Sequence, residues 1–432
     1  MNKTQKILAG VMAGAAVFFG FIVIRVGVAQ PSDTMRKASI PTENNAHLGS
    51  KAYEKAYPLE YKSYMKNNMM MPSPTGYGGS QVGHSRLAEE PEMVENFKGY
   101  KFAIQYDDDR GHTYAGQDIL ESKRRPGQKG SCVTCKTAYT KDVFYDEMGW
   151  GYATKTFDEL AAKIPADGWF GCATCHDPET MNLRVMNPAL VEALARQGKD
   201  IGNATHNEMR AYVCGQCHTE YYFAKEDGRV TLPWDKGPTA ENQFQYYSSG
   251  LAKGFEQDWV HPDSGTKMLK AQHPDYETWS TSVHADAGVT CVDCHMPYMR
   301  DGGKKYTSHW MTSPLQTAEA SCMKCHNASK EDLVKRVKTI HDNTFKLQRI
   351  AGSTVSKAHL TIQKAMQAGA NDAHLATARM RLREAQWYWD YAAAENGVGF
   401  HNPDQIARTL GLSIDLAHQA IEEANAVVRG AL

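Results

Sequence analysis

The chain of 432 residues is long enough for about two or three domains, and it is nearly neutral, with 48 Lys and Arg against 49 Asp and Glu. A net charge of -1 argues against a nucleic-acid binder, because such proteins usually carry a basic excess. Hydrophobic residues make up 42% of the chain, so the polypeptide alone supplies a modest core for its size. The informative counts are 10 Cys and 17 His, whose spacing must separate disulfides, zinc sites and covalent cofactors.

The first 30 residues have the character of a targeting segment. Two lysines precede an uncharged apolar run over residues 7–24, and Gly27 and Ala29 form a small-residue cleavage pattern. The run also has the length of a short membrane span, and Arg25 is unusually placed for a cleaved signal. A cleaved signal peptide and a retained membrane anchor both remain open. Either one predicts that the rest of the chain is sent across the membrane.

All ten cysteines fall into C-x-x-C pairs. The pairs are Cys132/Cys135, Cys172/Cys175, Cys214/Cys217, Cys291/Cys294 and Cys322/Cys325. Four of them are followed directly by His176, His218, His295 and His326, whereas Lys136 follows the first. C-x-x-C-H is the attachment motif of c-type haem. Two Cys three residues apart share one helical face, so both can bond the porphyrin while the adjacent His reaches the iron.

Other uses of paired cysteines fit this spacing poorly. A zinc ribbon needs two pairs about 15–20 residues apart, but successive pairs here begin 40, 42, 77 and 31 residues apart. Disulfides would not require a His at the same offset in four pairs, and thioredoxin-like motifs do not occur five to a chain. The pattern therefore predicts covalent haem.

The first motif differs from the other four because Lys136 stands where they have His. An electron-transfer haem has two axial ligands, whereas a haem that converts a small molecule keeps one position open. Lysine binds iron only as the neutral amine, which burial and the charge of the iron favour. The alternative is that Lys136 is a solvated charge after a fortuitous pair. Beside four intact motifs, the ligand interpretation is preferred, and this haem is the catalytic candidate.

Further sequence blocks accompany the haem motifs. They are Arg110-Gly111-His112, CGQCHTEYYF at 214–223, KAQHPDYETW at 270–279, CVDCHMP at 291–297 and Ala385-Gln386-Trp387. With five haem motifs of which the first ends in Lys, residues 85–430 resemble cytochrome c nitrite reductase, the pentahaem ammonia-forming family. The resemblance implies a mainly α-helical multihaem cytochrome c fold wrapped around five covalent haems.

The resemblance also implies roles for single residues. Lys136 would be the proximal ligand of the catalytic haem, and Arg124, Tyr221 and His273 would line its open face. The adjacent Arg125 is the alternative to Arg124 as the arginine that faces the substrate. The distal ligands of the Cys172, Cys214, Cys291 and Cys322 haems would be His309, His112, His401 and His284, respectively. One Ca²⁺ would be held by the side chains of Glu220 and Gln272 and the carbonyls of Tyr221 and Lys270. Such oxygen ligation suits a hard cation. The eight remaining histidines are predicted to be structural.

The implied function is six-electron reduction of nitrite to ammonium, with four bis-His haems relaying electrons. The donor would be a membrane-bound quinol-oxidising multihaem cytochrome or a soluble cytochrome. Two alternatives stay open: a cytochrome that only transfers electrons, and a related enzyme acting mainly on hydroxylamine or sulfite.

The organisation follows the motifs. After the targeting segment at 1–30, residues 31–330 would form the pentahaem catalytic region, with short helices and no large sheet. Residues 331–432 would form long helices of the same domain, and the family resemblance implies that they make a homodimer interface. Apolar residues from Leu333 to Val355 recur at near-helical spacing, and Gly369-Ala370-Asn371 ends that run. A second helix is predicted at about 372–394 and a last one at about 404–429.

Overall fold

The computed structural model describes residues 40–80, 84–108 and 110–430. The predicted signal or anchor segment lies outside these residues. Within them, no helix is both long enough and apolar enough to span a bilayer. The predicted mainly α-helical class is confirmed.

Sixteen α-helices occur in the described residues, and thirteen of them are short. They are α1 (Pro58–Tyr64), α2 (Arg86–Glu89), α3 (Glu92–Asn96), α4 (Ala115–Glu121), α5 (Asp146–Met148), α6 (Phe157–Ala161), α7 (Cys172–Cys175), α8 (Pro188–Arg196), α9 (His206–Gly215), α10 (Ala240–Ser248), α11 (Asp275–Ser280), α12 (Val283–Asp286), α13 (Cys291–His295), α14 (Lys330–Gln367), α15 (Asp372–Ala394) and α16 (Pro403–Gly430).

Tight helical turns and small hairpins fill the connections. The 3₁₀ turns are Glu43–Leu48, Lys51–Tyr53, Met65–Asn68, Lys101–Ala103, His112–Tyr114, Gly130–Val133, Gly149–Thr154, Ala166–Gly168, Ile201–Asn203, Pro314–Thr317 and Cys322–Lys324, and Thr140–Tyr145 is a π-helical turn. Three antiparallel hairpins pair β1 (Tyr222–Phe223) with β2 (Val230–Thr231), β3 (Trp259–Val260) with β4 (Lys267–Met268), and β5 (Tyr298–Asp301) with β6 (Lys304–Thr307). Within the described residues no larger sheet forms, as predicted.

The three long helices confirm the predicted C-terminal elements. The Ser329 side chain caps α14 by accepting a hydrogen bond from the Asp332 amide. In the same way, the Asn371 side chain caps α15 by accepting a hydrogen bond from the His374 amide. Gly369, with a φ of 100°, ends the segment after α14 because left-handed backbone favours glycine. The starts of α14 and α15, and the end of α14, therefore carry local signals in the sequence; the three helices run for 38, 23 and 28 residues.

The largest apolar cluster lies where these helices meet. Trp387, Trp389 and Tyr391 of α15 are fully buried there, packed with residues of α14 and α16 and of the segment 93–271. Trp387 donates to the carbonyl of Ala240 at 2.8 Å, which ties α15 to α10. A Cβ at Gly352 of α14 would lie 2.7 Å from Nε1 of Trp389, so this close approach requires glycine. The long helices thus share one core with the preceding region.

Burial of the tryptophans bears on the expected dimer surface. The family resemblance implies a homodimer contact through the long helices, which exposed Trp and Leu there would support. Trp387 and Trp389 instead face the core of their own chain. The larger exposed apolar side chains on these helices are Ile350, Leu360, Met366, Met380 and Val428. A dimer contact through this region therefore stays a prediction.

Candidate functional site

All five cysteine pairs open onto one cavity. Its volume is ≈ 2210 Å³, and all ten cysteines, Lys136 and the four motif histidines line it. None of these ten thiols, each of which the structure describes, is in a disulfide. The chain therefore presents ten free thiols and their adjacent ligand candidates to a single interior space, which fits covalent attachment of several large flat groups.

Each cysteine pair lies on a helical turn, as two thioether bonds to one porphyrin require. In three motifs the amide of the terminal His donates to the carbonyl of the first Cys at 2.9 Å, as His176 does to Cys172. In the first motif the Lys136 amide donates instead to Val133 at 2.9 Å, after the 3₁₀ turn Gly130–Val133. The motif that ends in Lys is thus also wound more tightly.

The four motif histidines each face a second histidine. The ring centroids are 6.0 Å apart in His112–His218, 6.1 Å in His176–His309, 6.2 Å in His284–His326 and 6.4 Å in His295–His401. A metal–nitrogen bond of about 2 Å on each side and roughly 1 Å from nitrogen to ring centre predict about 6 Å for two imidazoles on one ion. These pairs are the ones that the family resemblance implies, and their spacing fits a bis-His haem.

The Nδ1 atoms of several of these rings are held by other groups. His176, His295 and His309 bond through Nδ1 to the carbonyls of Met181, Thr312 and Thr307, each at 2.9 Å. His218 bonds through Nδ1 to Asp275 at 3.0 Å, and His401 bonds through Nδ1 to Glu395. In all five rings Nδ1 is engaged, so Nε2 is the nitrogen left for a metal.

The Cys214 motif has a central position. Sγ of Cys217 lies 3.6 Å from the carbonyl oxygen of Cys135, and Sγ of Cys175 lies 3.9 Å from the carbonyl oxygen of Val213. Helix α9, which carries Cys214, packs against α13, which carries Cys291. The first, second and fourth motifs therefore all adjoin the third. Haems attached to these four motifs would lie next to one another, with the haem of the third motif adjoining the other three.

Tyr221 and His273 line the same cavity as Lys136. Burial raises the pKa of the Tyr221 phenol well above its usual range, and the neighbouring thiols of Cys135 and Cys132 add to the rise. The phenol therefore stays protonated and serves as a hydrogen-bond donor near the first motif.

The two adjacent arginines have different surroundings. The Arg125 guanidinium forms an ion pair with Asp158. The Arg124 guanidinium stacks on Phe102, with its carbon 4.4 Å from the ring centroid, and its charge acts on the partly buried Tyr100. Tyr100 also interacts electrostatically with Cys132. Neither arginine lines the cavity as Tyr221 and His273 do, so the structure does not bring the predicted Arg124 to the cavity wall.

The predicted calcium ligands converge in a buried acidic pocket. Glu220 is fully buried; one of its carboxylate oxygens accepts from the amide of Gln272 at 2.5 Å and the other from the hydroxyl of Tyr247 at 3.0 Å. The side-chain amide of Gln272 lies 3.3 Å from the carbonyl of Lys270. Burial raises the pKa of Glu220 well above its usual range. An oxygen-rich, buried and acidic site of this kind fits a hard cation.

Additional carboxylates surround that pocket. Burial raises the pKa of both Glu277 and Asp258 to about 7, and it also raises that of Asp390. The ammonium of Lys270 pairs with Asp390 at 2.7 Å. Carboxylates therefore outnumber this one lysine, and a divalent cation beside Glu220 would offset the excess negative charge.

Sequence reasoning missed Asp275 and Glu395. Asp275 stands inside the block at 270–279 but received no role, and Glu395 follows α15 without a motif. The adjacency of Asp275 to His273 was the available signal for the first. Nothing local indicates the second, because its contact with His401 depends on the turn after α15.

Comparisons with known proteins place the chain. Residues 49–430 match the cytochrome c552 family. The chain is 37% identical to the cytochrome c nitrite reductase subunit NrfA of Nitratidesulfovibrio vulgaris, over 98% of this chain and 87% of that protein. It is 39% identical to a cytochrome c-552 of Bacteroides thetaiotaomicron, over 78% of this chain and 69% of that one.

A solved structure is similar as well. The catalytic subunit of cytochrome c nitrite reductase from Desulfovibrio desulfuricans superposes with a TM-score of 0.83 at 35% identity, covering 88% of this chain and 86% of that one. That structure is described as having two calcium sites. The chain belongs to the cytochrome c552 family, and its predicted kinship with the cytochrome c nitrite reductases, oxidoreductases that act on nitrite, is confirmed.

Proposed function

We propose that this protein reduces nitrite to ammonium with six electrons, at a c-type haem attached to Cys132 and Cys135 and ligated by Lys136. The observation that carries the proposal is the contrast among the five motifs. Four end in a His that faces a second His at 6.0 to 6.4 Å, and the fifth ends in Lys136, in a cavity wall that also holds Tyr221 and His273. Four saturated haems would relay electrons to one haem with an open position.

The protein's own groups bind the anion and deliver protons. When bound, the haem iron supplies the electrons and the site at which nitrite coordinates. Tyr221 donates a hydrogen bond from its protonated phenol. His273 supplies protons to the bound anion, and Arg124 supplies fixed positive charge. The ion pair of Arg125 with Asp158 favours Arg124 over Arg125 for this role.

A calcium ion fits beside the site. Glu220 and Gln272 would hold it with their side chains, and Tyr221 and Lys270 with their carbonyls. Tyr221 would then belong to both sites, and Gln272 directly precedes His273. The ion would therefore order the two segments that carry Tyr221 and His273 and add positive charge near the anion.

The setting of the reaction follows from the same assignment. Five covalent haems, periplasmic location, a homodimer through the long helices and an external cytochrome donor are proposed together. The apolar N-terminal run favours a membrane-bound quinol-oxidising donor over a soluble cytochrome. Hydroxylamine and sulfite are alternative substrates because the same pocket accepts small molecules that bind iron.

Purified holoprotein provides the test. Mass measurement should give five attached haems, and one high-spin ferric signal should change on addition of nitrite while the low-spin signals stay. Nitrite turnover with a reduced dye should yield ammonium, faster than turnover of sulfite or hydroxylamine. A holoprotein in which every iron is already six-coordinate and nitrite leaves the spectrum unchanged would support electron transfer only.

A variant pair sharpens the assignment. His273→Ala should lower nitrite turnover by roughly 10²- to 10⁴-fold, because a positioned proton donor is lost. His418→Ala, on the exposed face of α16, is the matched control and should retain full turnover. Equal activity in the two variants would contradict the role of His273. Haem content measured in both separates chemistry from assembly.

A further inference from the structure

The axial histidine pairs differ in what holds their Nδ1 atoms. Three rings bond to backbone carbonyls, at Met181, Thr307 and Thr312. Two bond to carboxylates: His218 to Asp275 at 3.0 Å, and His401 to Glu395. Asp275 and Glu395 are 6% and 3% exposed. The carboxylate contacts thus fall on the Cys214 and Cys291 haems and on neither ring of the His176–His309 pair.

Both carboxylates are fixed by the turn that follows α15. The oxygens of Glu395 accept from the amides of Gly397 at 2.9 Å and Gly399 at 2.7 Å. Asp275 accepts from the amide of Asn396 at 2.7 Å and from its side chain at 2.9 Å. One short segment, residues 395–399, therefore positions both acceptors. Their orientation toward the imidazoles does not depend on mobile side chains.

Asp275 also lies between ligands of two haems. One of its oxygens bonds to Nδ1 of His218, and the other lies 3.8 Å from Nδ1 of His401. His218 belongs to the Cys214 motif, and His401 faces His295 of the Cys291 motif. Asp275 therefore contacts the Cys214 haem ligand directly and approaches the Cys291 haem ligand, whereas Glu395 contacts only the latter.

We propose that Asp275 and Glu395 are positioning residues that lower the reduction potentials of the Cys214 and Cys291 haems through His218 and His401. An anionic acceptor on Nδ1 makes an imidazole a stronger electron donor than a neutral carbonyl does, and a stronger donor stabilises ferric over ferrous iron. The inference rests on the haem assignment of the proposed function. It adds which haems in the row the protein tunes and by which side chains.

The position of these haems gives the tuning a consequence. The Cys214 motif adjoins the first motif through Cys217 and Cys135. An electron on a haem of lower potential leaves it more readily. Lowering the one-electron ferric/ferrous couples of the Cys214 and Cys291 haems therefore increases the driving force for transfer onward to the Cys132 haem.

The test is a redox titration of holoprotein followed by optical and paramagnetic resonance spectra of the low-spin ferric haems. Glu395→Gln should shift one midpoint potential upward. Asp275→Asn should shift two upward, the larger shift at a second haem and the smaller at the haem that Glu395→Gln also moves. The potential and spectrum of the His176–His309 haem should stay in place.

Two further variants exclude a general effect of charge or folding. Asp142→Asn removes a carboxylate that is paired with Arg184 and that contacts neither His218 nor His401, and it should leave both shifted signals at their native values. Glu395→Asp keeps the anionic acceptor and should restore most of the native potential. A merely structural role would lower stability without this selective pattern.

The outcomes separate the inference from the function on which it rests. Unchanged potentials in Glu395→Gln and Asp275→Asn, with low-spin spectra intact, overturn the inference and leave the proposed function standing. If Asp275→Asn fails to take up haem, Glu395→Gln decides alone, because an unmoved potential there refutes the tuning. A native protein without bis-His signals would instead refute the haem assignment itself.

Discussion

The haem-binding region and the three long helices obtain their order in different ways. In residues 112–326 the helices are at most 10 residues long, and their motif residues face a cavity of ≈ 2210 Å³. Helices α14, α15 and α16 run for 38, 23 and 28 residues, and α15 buries Trp387 and Trp389 in the core that they share. One region is organised around cofactors, and the other around its own apolar side chains.

Loss of the haems should have the largest effect on folding, because it removes the groups around which the first region is organised. Apoprotein made in cells without haem attachment should show no cooperative thermal transition, because the cavity walls lose the groups they pack against. Circular dichroism during heating, with holoprotein as the control, measures this. A cooperative transition with native-like helix content in haem-free protein would show that the first region folds unaided.

A core deletion probes the second region. Trp387→Ala should reduce the free energy of unfolding by about 3–5 kcal/mol, because a fully buried indole and its bond to Ala240 are lost. Met380→Ala on the same helix is the control; that side chain is 52% exposed, and the cost should stay within about 0.5 kcal/mol. Urea titration measures both. Similar losses would mean that α15 is not anchored by its buried face.

Acid should weaken the contact between the long helices and the preceding region at a stacked histidine pair. His359 of α14 and His261 are both fully buried, with ring centroids 3.6 Å apart. Burial, helped by repulsion from His261 when that ring is protonated, lowers the pKa of His359 to about 3. The unfolded chain, with a His pKa of about 6.5, then binds protons first as pH falls.

Because the unfolded chain binds the additional proton, stability falls as the pH is lowered. Stability from neutral His359 is full above about pH 6.5 and is lost toward pH 3, by about 2 kcal/mol at pH 5. His359→Gln, which keeps a neutral partner for Ser264 and Gln386, should show a smaller loss between pH 7 and pH 5. Urea titrations of both proteins at the two pH values test this. Equal losses would assign the acid sensitivity to other groups.

The smallest expected effect concerns a helix cap. Asn371→Ala removes the side chain that accepts from the His374 amide at 3.0 Å at the start of α15, and it should cost about 1 kcal/mol. Asn371→Asp retains an acceptor and should be nearly neutral. Thermal unfolding of the two variants provides the comparison. An equal loss in both would mean that tertiary packing alone defines this helix end.

Sequence reasoning located the elements whose signals are local. The prediction of a helix at 372–394 agrees with α15, because Asn371 caps its start and the apolar period continues to its end. Pairing of the axial histidines was implied by family resemblance, and the ring distances fit it. The roles of Arg124, Tyr221, His273 and the calcium ligands stay predictions, because they depend on groups that the polypeptide alone does not supply.

Covalent haem attachment, the unusual Lys136 and the long helices were determined by the sequence alone, because each depends on residues a few positions apart. Tertiary structure decided which histidines meet, because the partners are far apart in sequence, as His176 and His309 are. It also decided that Trp387 and Trp389 face inward and that Asp275 meets the ring of His218, 57 residues earlier in the chain. Contacts of this kind arise when distant segments pack, and no local pattern encodes them.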